Sequence, residues 1–195
     1  MEAALSPSLP LPDEMLLTET LYSDAQAMRD IGCLRVQVWE SEGSLDLSLF
    51  PDFCWIGSED LECTARHWCV KANVNDNNGT KSVLVAAARL TLHDENDTYR
   101  DVDLWREKGI PLRYPVCDLG RLVVRKDYRR RGIARRLVRV RIEAAKSWGA
   151  TAILCTASAD NVPLLTSEGF LALGHTIVFA DRPNTVFHAM HLLFE

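Results

Sequence analysis

The residues best suited to chemistry lie between Leu122 and Arg141. An apolar run, Leu122-Val123-Val124, leads into the basic stretch Arg125-Lys126-Asp127-Tyr128-Arg129-Arg130-Arg131. Gly132-Ile133-Ala134 follows and opens an amphipathic pattern. That order is strand, turn, helix, and it predicts an anion at the turn. The first N–H groups of a helix have no partner within it, and the macrodipole is positive at that end, so a phosphate docks there on backbone amides. Gly132 permits close approach to the backbone. Ala134 keeps the first turn of the helix low, and the arginines add longer-range attraction.

Those groups need a strand before them and a helix behind them, and the periodicity supplies both. Residues 116–124 read as a core strand. From 133 to 148 the apolar residues Ile133, Leu137, Val138, Val140, Ile142, Ala145 and Trp148 recur at helical spacing, and Gly149 marks the end. Upstream, 16–20 is a short strand. Ser23 and Gln26 have the spacing of a capping box for a helix through Trp39, with Ala27, Ile31, Leu34 and Val38 on its apolar face. The strands 67–74 and 82–92 flank Asn75-Asp76-Asn77-Asn78-Gly79, strong hairpin-turn chemistry. Between 94 and 115 glycine and prolines punctuate a loop with one helical turn near 102–107. A strand at 151–156, a short helix at 162–168 closed by Gly169, and strands at 172–180 and 185–194 joined across Asp181-Arg182-Pro183-Asn184 complete the chain. Residues 1–15 are rich in Pro, Ser and Leu and lack periodicity, so a mobile tail precedes one folded domain over 16–195. The acidic, aromatic segment 40–66 reads as a substrate-side loop.

Composition narrows the function classes. With 195 residues, 47% hydrophobic and 25% charged, the chain suits one globular domain. It has no apolar run of membrane-spanning length and no basic leader, and a cytoplasmic protein is expected. The six cysteines form no C-x-x-C pair, which argues against structural zinc and for free thiols. Net charge is −5, yet residues 125–141 hold nine Lys or Arg against Asp127, a local +8, so the remainder carries −13. A solvated helix face or phosphate contacts to nucleic acid would both account for the arginine run. The acidic remainder and the absence of stacking aromatics among residues 129–141 argue against nucleic acid.

Between strand and helix, Arg129-x-x-Gly132-x-Ala134 resembles the acyl-CoA signature of the GNAT superfamily, Gln/Arg-x-x-Gly-x-Gly/Ala. Gly169-Phe170 is similar to the end of that family's second motif. Leu34-Arg35-x-x-Val38-Trp39, Ala65-Arg66-His67 and Ala88-Arg89-Leu90 are similar to a small branch of it and, more loosely, to acyl-homoserine-lactone synthases. The resemblance implies an α/β (α+β) fold: a mixed, twisted sheet of about seven strands with helices on both faces. It also implies acetyl-CoA, or another acyl-CoA, as co-substrate and no metal. The phosphates would lie on Arg129, Arg130, Arg131, Gly132, Ile133, Ala134 and Arg135, the pantetheine arm along Leu122, Val123 and Val124, and Asn161 beside the CoA. One position departs from the pattern. Leu165 stands where the family often has the tyrosine that protonates the leaving thiolate, so that proton would come from water, or from Thr166, Ser167 or Cys155.

The implied reaction is N-acyl transfer to a primary amine by direct attack in a ternary complex. A neutral amine, a proton acceptor and an oxyanion donor are then needed. Asp118 is the candidate base: it falls where histone-type members of the family place theirs. On a regularly alternating strand it would share a face with Gly120, Leu122 and Val124. A backbone N–H near Leu122 or Val123 is the candidate oxyanion donor. Asp118 could equally be the buried partner of Arg89 or Arg121. Trp39, Trp55 and Trp68 are candidates for a substrate pocket or for core. The expected acceptor is a small molecule or peptide amine drawn by the acids of 40–66, with no nucleic acid or membrane partner, in a monomer or homodimer. An acyl-CoA sensor without turnover and an acyl-homoserine-lactone-synthase-like enzyme are the alternatives.

Overall fold

The computed structural model describes residues 15–76, 79–95 and 102–194. Seven strands form one sheet: β1 (Met15–Leu21), β2 (Ala65–Asp76), β3 (Gly79–His93), β4 (Val116–Val124), β5 (Ala152–Ser158), β6 (Leu171–Phe179) and β7 (Arg182–Leu193). Their order across the sheet is β1-β2-β3-β4-β5-β7-β6. Every neighbouring pair is antiparallel except β4 and β5. That parallel pair is bridged by the helix its geometry requires, α3 (Ile133–Ser147). The fold is thus the mixed seven-stranded α/β architecture that the sequence implied.

Helices cover both faces. On one, α3 sets Ile133, Leu137, Val138, Ile142 and Ala145 against Val70, Ala86, Ala88, Leu90, Cys117 and Leu119. The short helix α4 (Val162–Ser167) adds Leu165 to the same cluster. On the other face, α1 (Ala25–Ser41) packs Met28, Ile31, Leu34 and Val38 on Cys69, Ala87 and Val123. There α2 (Val102–Glu107) seats Val102 and Trp105 on Val116, Ala152 and Leu154. The alanine run of β3 lies between α1 and α3, where small side chains let both helices approach the sheet.

Three local expectations change. The cap of α1 is Asp24, whose carboxylate accepts from the Ala27 N–H at 3.0 Å, in place of Ser23, and Met28 joins the buried face that Ala27 was expected to lead. The terminal hairpin turns at Ala180 and Asp181, with Phe179 opposite Arg182, so Arg182, Pro183 and Asn184 belong to β7. Pro183 is tolerated because β5 reaches β7 only from Phe187 onward, and its missing N–H breaks no ladder on that side. The segment 40–66 holds two single turns of 3₁₀ helix, at Leu47–Leu49 and Ser58–Asp60. Of the expected tail, residues 1–14 lie outside the described residues, as does the Asn77-Asn78 turn, while Met15 opens β1. All six cysteines are free thiols.

The alternation of β4 breaks in its middle. Opposite Ala88, which lies between the paired Ala87–Val123 and Arg89–Gly120, stand two residues, Arg121 and Leu122: a β-bulge. Arg121 takes the left-handed conformation there (φ 57°). Before the bulge Cys117 and Leu119 face α3; after it Leu122 and Val124 do, while Val123 faces α1. Asp118 and Gly120 therefore lie on the opposite face from Leu122 and Val124, which corrects the shared face expected from plain alternation.

Candidate active site

The strand–turn–helix forms as its residue types require. Val124 ends β4, the Arg125 N–H donates to the Val85 carbonyl at 2.9 Å, and one 3₁₀ turn, Lys126–Tyr128, reverses the chain. Arg130 (φ 61°) and Gly132 (φ 79°) adopt left-handed backbone, and α3 starts at Ile133 with no side-chain cap on its free N–H groups. A Cβ placed on Gly132 would meet nothing within 4 Å, so the backbone is open to a ligand. This is the uncapped, accessible helix end that a phosphate-bearing group fits.

The cavity beside it has a volume of about 630 Å³, within the range of small-molecule sites. It gathers Leu122, Val123 and Val124 from β4, Arg129, Arg130, Gly132, Ile133, Ala134 and Arg135 from the turn and helix, and Asn161 ahead of α4. Those are the residues the resemblance assigned to the cofactor, apart from Arg131. That side chain turns away: it donates to the Asp127 carbonyl at 3.2 Å and stacks over Tyr128. Arg129 is also engaged, donating to the Val124 carbonyl and pairing with Glu42, while Arg135 and Arg139 share Glu168. A wall of this cavity exists because the sheet splays. Strands β4 and β5 pair only from Val116 to Asp118, so from Leu119 onward the β4 edge that faces β5 has no strand beside it.

At the splay the cavity adjoins a smaller chamber of about 60 Å³, which shares Trp39, Leu122, Val123, Ser158 and Asn161 with it. Asn161 donates to the Ser158 hydroxyl at 3.2 Å at this junction. Leu165 lines the chamber, so α4 offers it no hydroxyl; Thr166 and Ser167 line neither space. Cys155 does line the chamber, and burial pushes its thiol far above the ordinary range, so it keeps its proton and is a poor acid for a leaving thiolate. Trp39 and Trp55 are wall residues. Trp68 is core, against Trp148.

Asp118 lines neither space. Its carboxylate accepts from Arg89 Nη2 at 2.5 Å, inside a chain of ion pairs behind the chamber. Arg89 Nη1 reaches Glu59 at 3.2 Å and Asp60 at 3.4 Å, Arg121 reaches Glu59 at 3.2 Å, and Arg35 donates to Asp60 at 2.8 Å. Burial works against the Asp60 charge, but Arg35 and Arg89 outweigh it and hold the carboxyl well below its usual range. Of the two readings of Asp118, partner of Arg89 is the one the geometry supports. The acids of segment 40–66 behave likewise: Glu59 and Asp60 bind arginines, and Asp46 caps Ser48, so none lines the chamber as an amine-attracting wall.

Two contributors were missed in the sequence. Arg141, counted within a basic run, is fully buried: Nε donates to the Leu137 carbonyl at 2.8 Å, and Nη1 to the carbonyls of Arg89 (2.9 Å) and Gly120 (3.1 Å), pinning the bulge. Burial pushes its guanidinium down to about 9. Helical phase was the available signal, since Arg141 follows Leu137 and Val138 on the apolar face. Arg182 was read as turn; nothing in Asp181-Arg182-Pro183-Asn184 discloses a strand side chain. Among the described residues no His/Cys/Asp/Glu cluster suits a metal, and no helix is long and apolar enough to cross a membrane.

Uncapped helix end, splayed parallel pair and bulged β4 together define a CoA-type acyltransferase scaffold, and the sequence agrees with that class. Residues 25–166 match the acetyltransferase (GNAT) family, and the chain belongs to it. No curated protein matches the sequence. Solved structures with this fold include Escherichia coli ElaA, at TM-score 0.62 and 17% identity over 91% of this chain and 98% of that one. An acyl-CoA N-acyltransferase from Pseudomonas aeruginosa gives 0.59 and 18% over 90% and 98%. The CoA-dependent acyl-homoserine lactone synthase BjaI, solved with SAM and isopentyl-CoA, gives 0.63 and 14% over 93% and 84%. At such identities the likeness is one of fold.

Proposed function

We propose that this chain is an N-acyltransferase that uses acetyl-CoA and acetylates a primary amine in a ternary complex. The observation that carries the reading is a pair of adjoining spaces with shared walls, one at the uncapped N-terminus of α3 and the unpaired edge of β4, the other the 60 Å³ chamber. The backbone N–H groups at the start of α3, with Arg130 nearby, would hold the pyrophosphate. Leu122, Val123 and Val124 would present backbone groups to the pantetheine amides. The small chamber favours a two-carbon acyl group over a long chain.

The amine nitrogen attacks the thioester carbonyl from the chamber. The C–N bond forms, the C–S bond breaks, and a backbone N–H near Leu122 or Val123 stabilises the oxyanion between. The amine's proton passes to water, since no carboxylate among the described residues lines the chamber, and the departing thiolate takes a proton from water, since Leu165 supplies none. The same leucine favours a second reading, an acyl-CoA sensor without turnover.

Acetyl-CoA binding by calorimetry separates these readings. Gly132→Trp, whose ring would project into the open space at the helix end, is expected to abolish binding, whereas Gly132→Ala, with equal backbone strain and little bulk, retains most of it. Thiol release that depends on an added amine supports the transferase. Binding without release supports the sensor, and absence of binding rejects both.

A further inference from the structure

The inner chamber carries a chemistry that N-acyl transfer does not require. Among the described residues its wall includes three guanidinium groups, from Arg35, Arg121 and Arg182, and no acidic side chain. Arg182 sits among four aromatic rings: its Cζ lies 4.4 Å from the centroid of Phe187, 4.8 Å from those of Trp55 and Phe179, and 5.3 Å from that of Trp39. Arg121 lies against one of the same rings, its Cζ 4.5 Å from the Trp55 centroid. Stacking fixes a guanidinium by its face and leaves its N–H edge for a planar anion, the arrangement that favours bidentate carboxylate recognition.

The carboxylates that balance these arginines stand behind or beside the wall. Glu59 serves Arg89 and Arg121, Asp60 serves Arg35 and Arg89, Asp118 serves Arg89, and Asp181 holds Arg182 through Nε at 3.2 Å. Compensation is incomplete. Arg35 is fully buried, yet its Nε and Nη2 have no hydrogen-bond partner among the described residues. Burial pushes the Arg182 guanidinium below its ordinary range despite Asp181. A buried cation with open donors gains from an incoming anion in a site of low dielectric.

We infer that the amine acceptor carries a carboxylate, held by Arg121 and Arg182, so that the substrate class is an α-amino acid or a compound with the same amine–carboxylate pairing. This deepens the acyltransferase reading and rests on it. The arginines would have a second effect. An ammonium beside them is disfavoured, so the amine sheds its proton there more readily than in water and enters as the neutral nucleophile.

The test is calorimetric binding to the full chain saturated with CoA, so it does not depend on turnover. Alanine, leucine and phenylalanine are each compared as the free acid, the carboxamide and the decarboxylated amine. The acid is expected to bind at least tenfold more tightly than both forms that lack the carboxylate in the best-binding set. Arg182→Gln and Arg121→Gln are each expected to remove that margin, with CoA affinity, the control for folding, kept in Arg182→Gln, whose side chain is not part of the β4 bulge. A margin of threefold or more in the native chain supports the inference even if one variant does not fold. A smaller margin in all three sets, or binding of none of the nine compounds, overturns it. Failure of the acyltransferase reading shows separately, as acetyl-CoA that does not bind. Thiol release with an amine that lacks the carboxylate, in place of the acid, would keep that reading and reject only this one.

Discussion

Arg121 holds a left-handed backbone conformation that costs a non-glycine residue about 1–2 kcal/mol, and its contacts to Trp55 and Glu59 are what offset that cost. Replacing it separates the two terms. Arg121→Ala loses the contacts and keeps the strain, whereas Arg121→Gly loses both, so the glycine variant is expected to be more stable by about 1 kcal/mol in urea unfolding. Asp118 is distinguished in a similar way. As the partner of Arg89, with its side chain 14% exposed, its conversion in Asp118→Asn is expected to destabilise the fold by about 2–3 kcal/mol, because a buried guanidinium loses a charge partner. The acid limb of the pH–rate profile should stay where it was. A profile that loses its acid limb, with stability unchanged, would instead assign Asp118 the role of base.

At the scale of elements, the bulge of β4 and helix α3 act as one device. The bulge turns Leu122 and Val124 toward the α3 side and frees the strand edge that would face the cofactor, and α3 reaches back through Arg141 to hold the bulge carbonyls. Arg141 is buried with no carboxylate among the described residues hydrogen-bonded to it, so the desolvation of its charge is not fully repaid by contacts. Arg141→Met is therefore expected to change unfolding stability by less than about 1 kcal/mol, the removed charge offsetting the lost hydrogen bonds. Acetyl-CoA affinity should weaken several-fold as the bulge loosens. Equal affinity in calorimetry, or a large loss of stability, would contradict this account.

For the whole molecule, the informative variable is pH. His67 is buried, its Nε2–H donates to the Asp60 carbonyl at 3.0 Å, and its Nδ1 has no partner among the described residues. Burial, with the Arg35 charge adding to it, pushes the imidazole down to about 4 from an ordinary 6.5. Between those values the unfolded chain binds a proton that the native chain does not, so stability is fully present above pH 6.5 and falls as pH drops toward 4. The share of His67 is about 3 kcal/mol. Asp60, held low by Arg35 and Arg89, acts in a separate window: its contribution is lost only below the ordinary carboxylate range. In His67→Gln the slope of unfolding free energy between pH 6.5 and 4 should shrink, while the fall below pH 4 remains. An unchanged slope would mean that His67 is not the titrating group.

Much of this was legible in the sequence because it depends on near neighbours. The periods of α3 and of the strands, the Gly132 turn and the run Leu122-Val123-Val124 are local, and local chemistry places an anion at a helix end wherever the rest of the fold puts it. Every strand was anticipated to within a few residues. What failed were features set by distant partners. Whether alternation holds through β4 depends on a bulge fixed by Trp55, Glu59 and Arg141, far along the chain, so the face of Asp118 was undetermined. Whether Glu59 and Asp60 face a substrate or an arginine depends on which charges the sheet brings beside them. Arg182 reads as turn until β6 and β7 pair and α1 and the 40–66 segment bring Trp39 and Trp55 beside Phe179 and Phe187. Sequence thus determined the proposed cofactor end of the site, built from backbone and contiguous residues. Only the tertiary structure decided the proposed acceptor end, because its walls come from α1, the 40–66 segment, β4, β5 and β7, and charges that meet only on folding cannot be paired from their order in the chain.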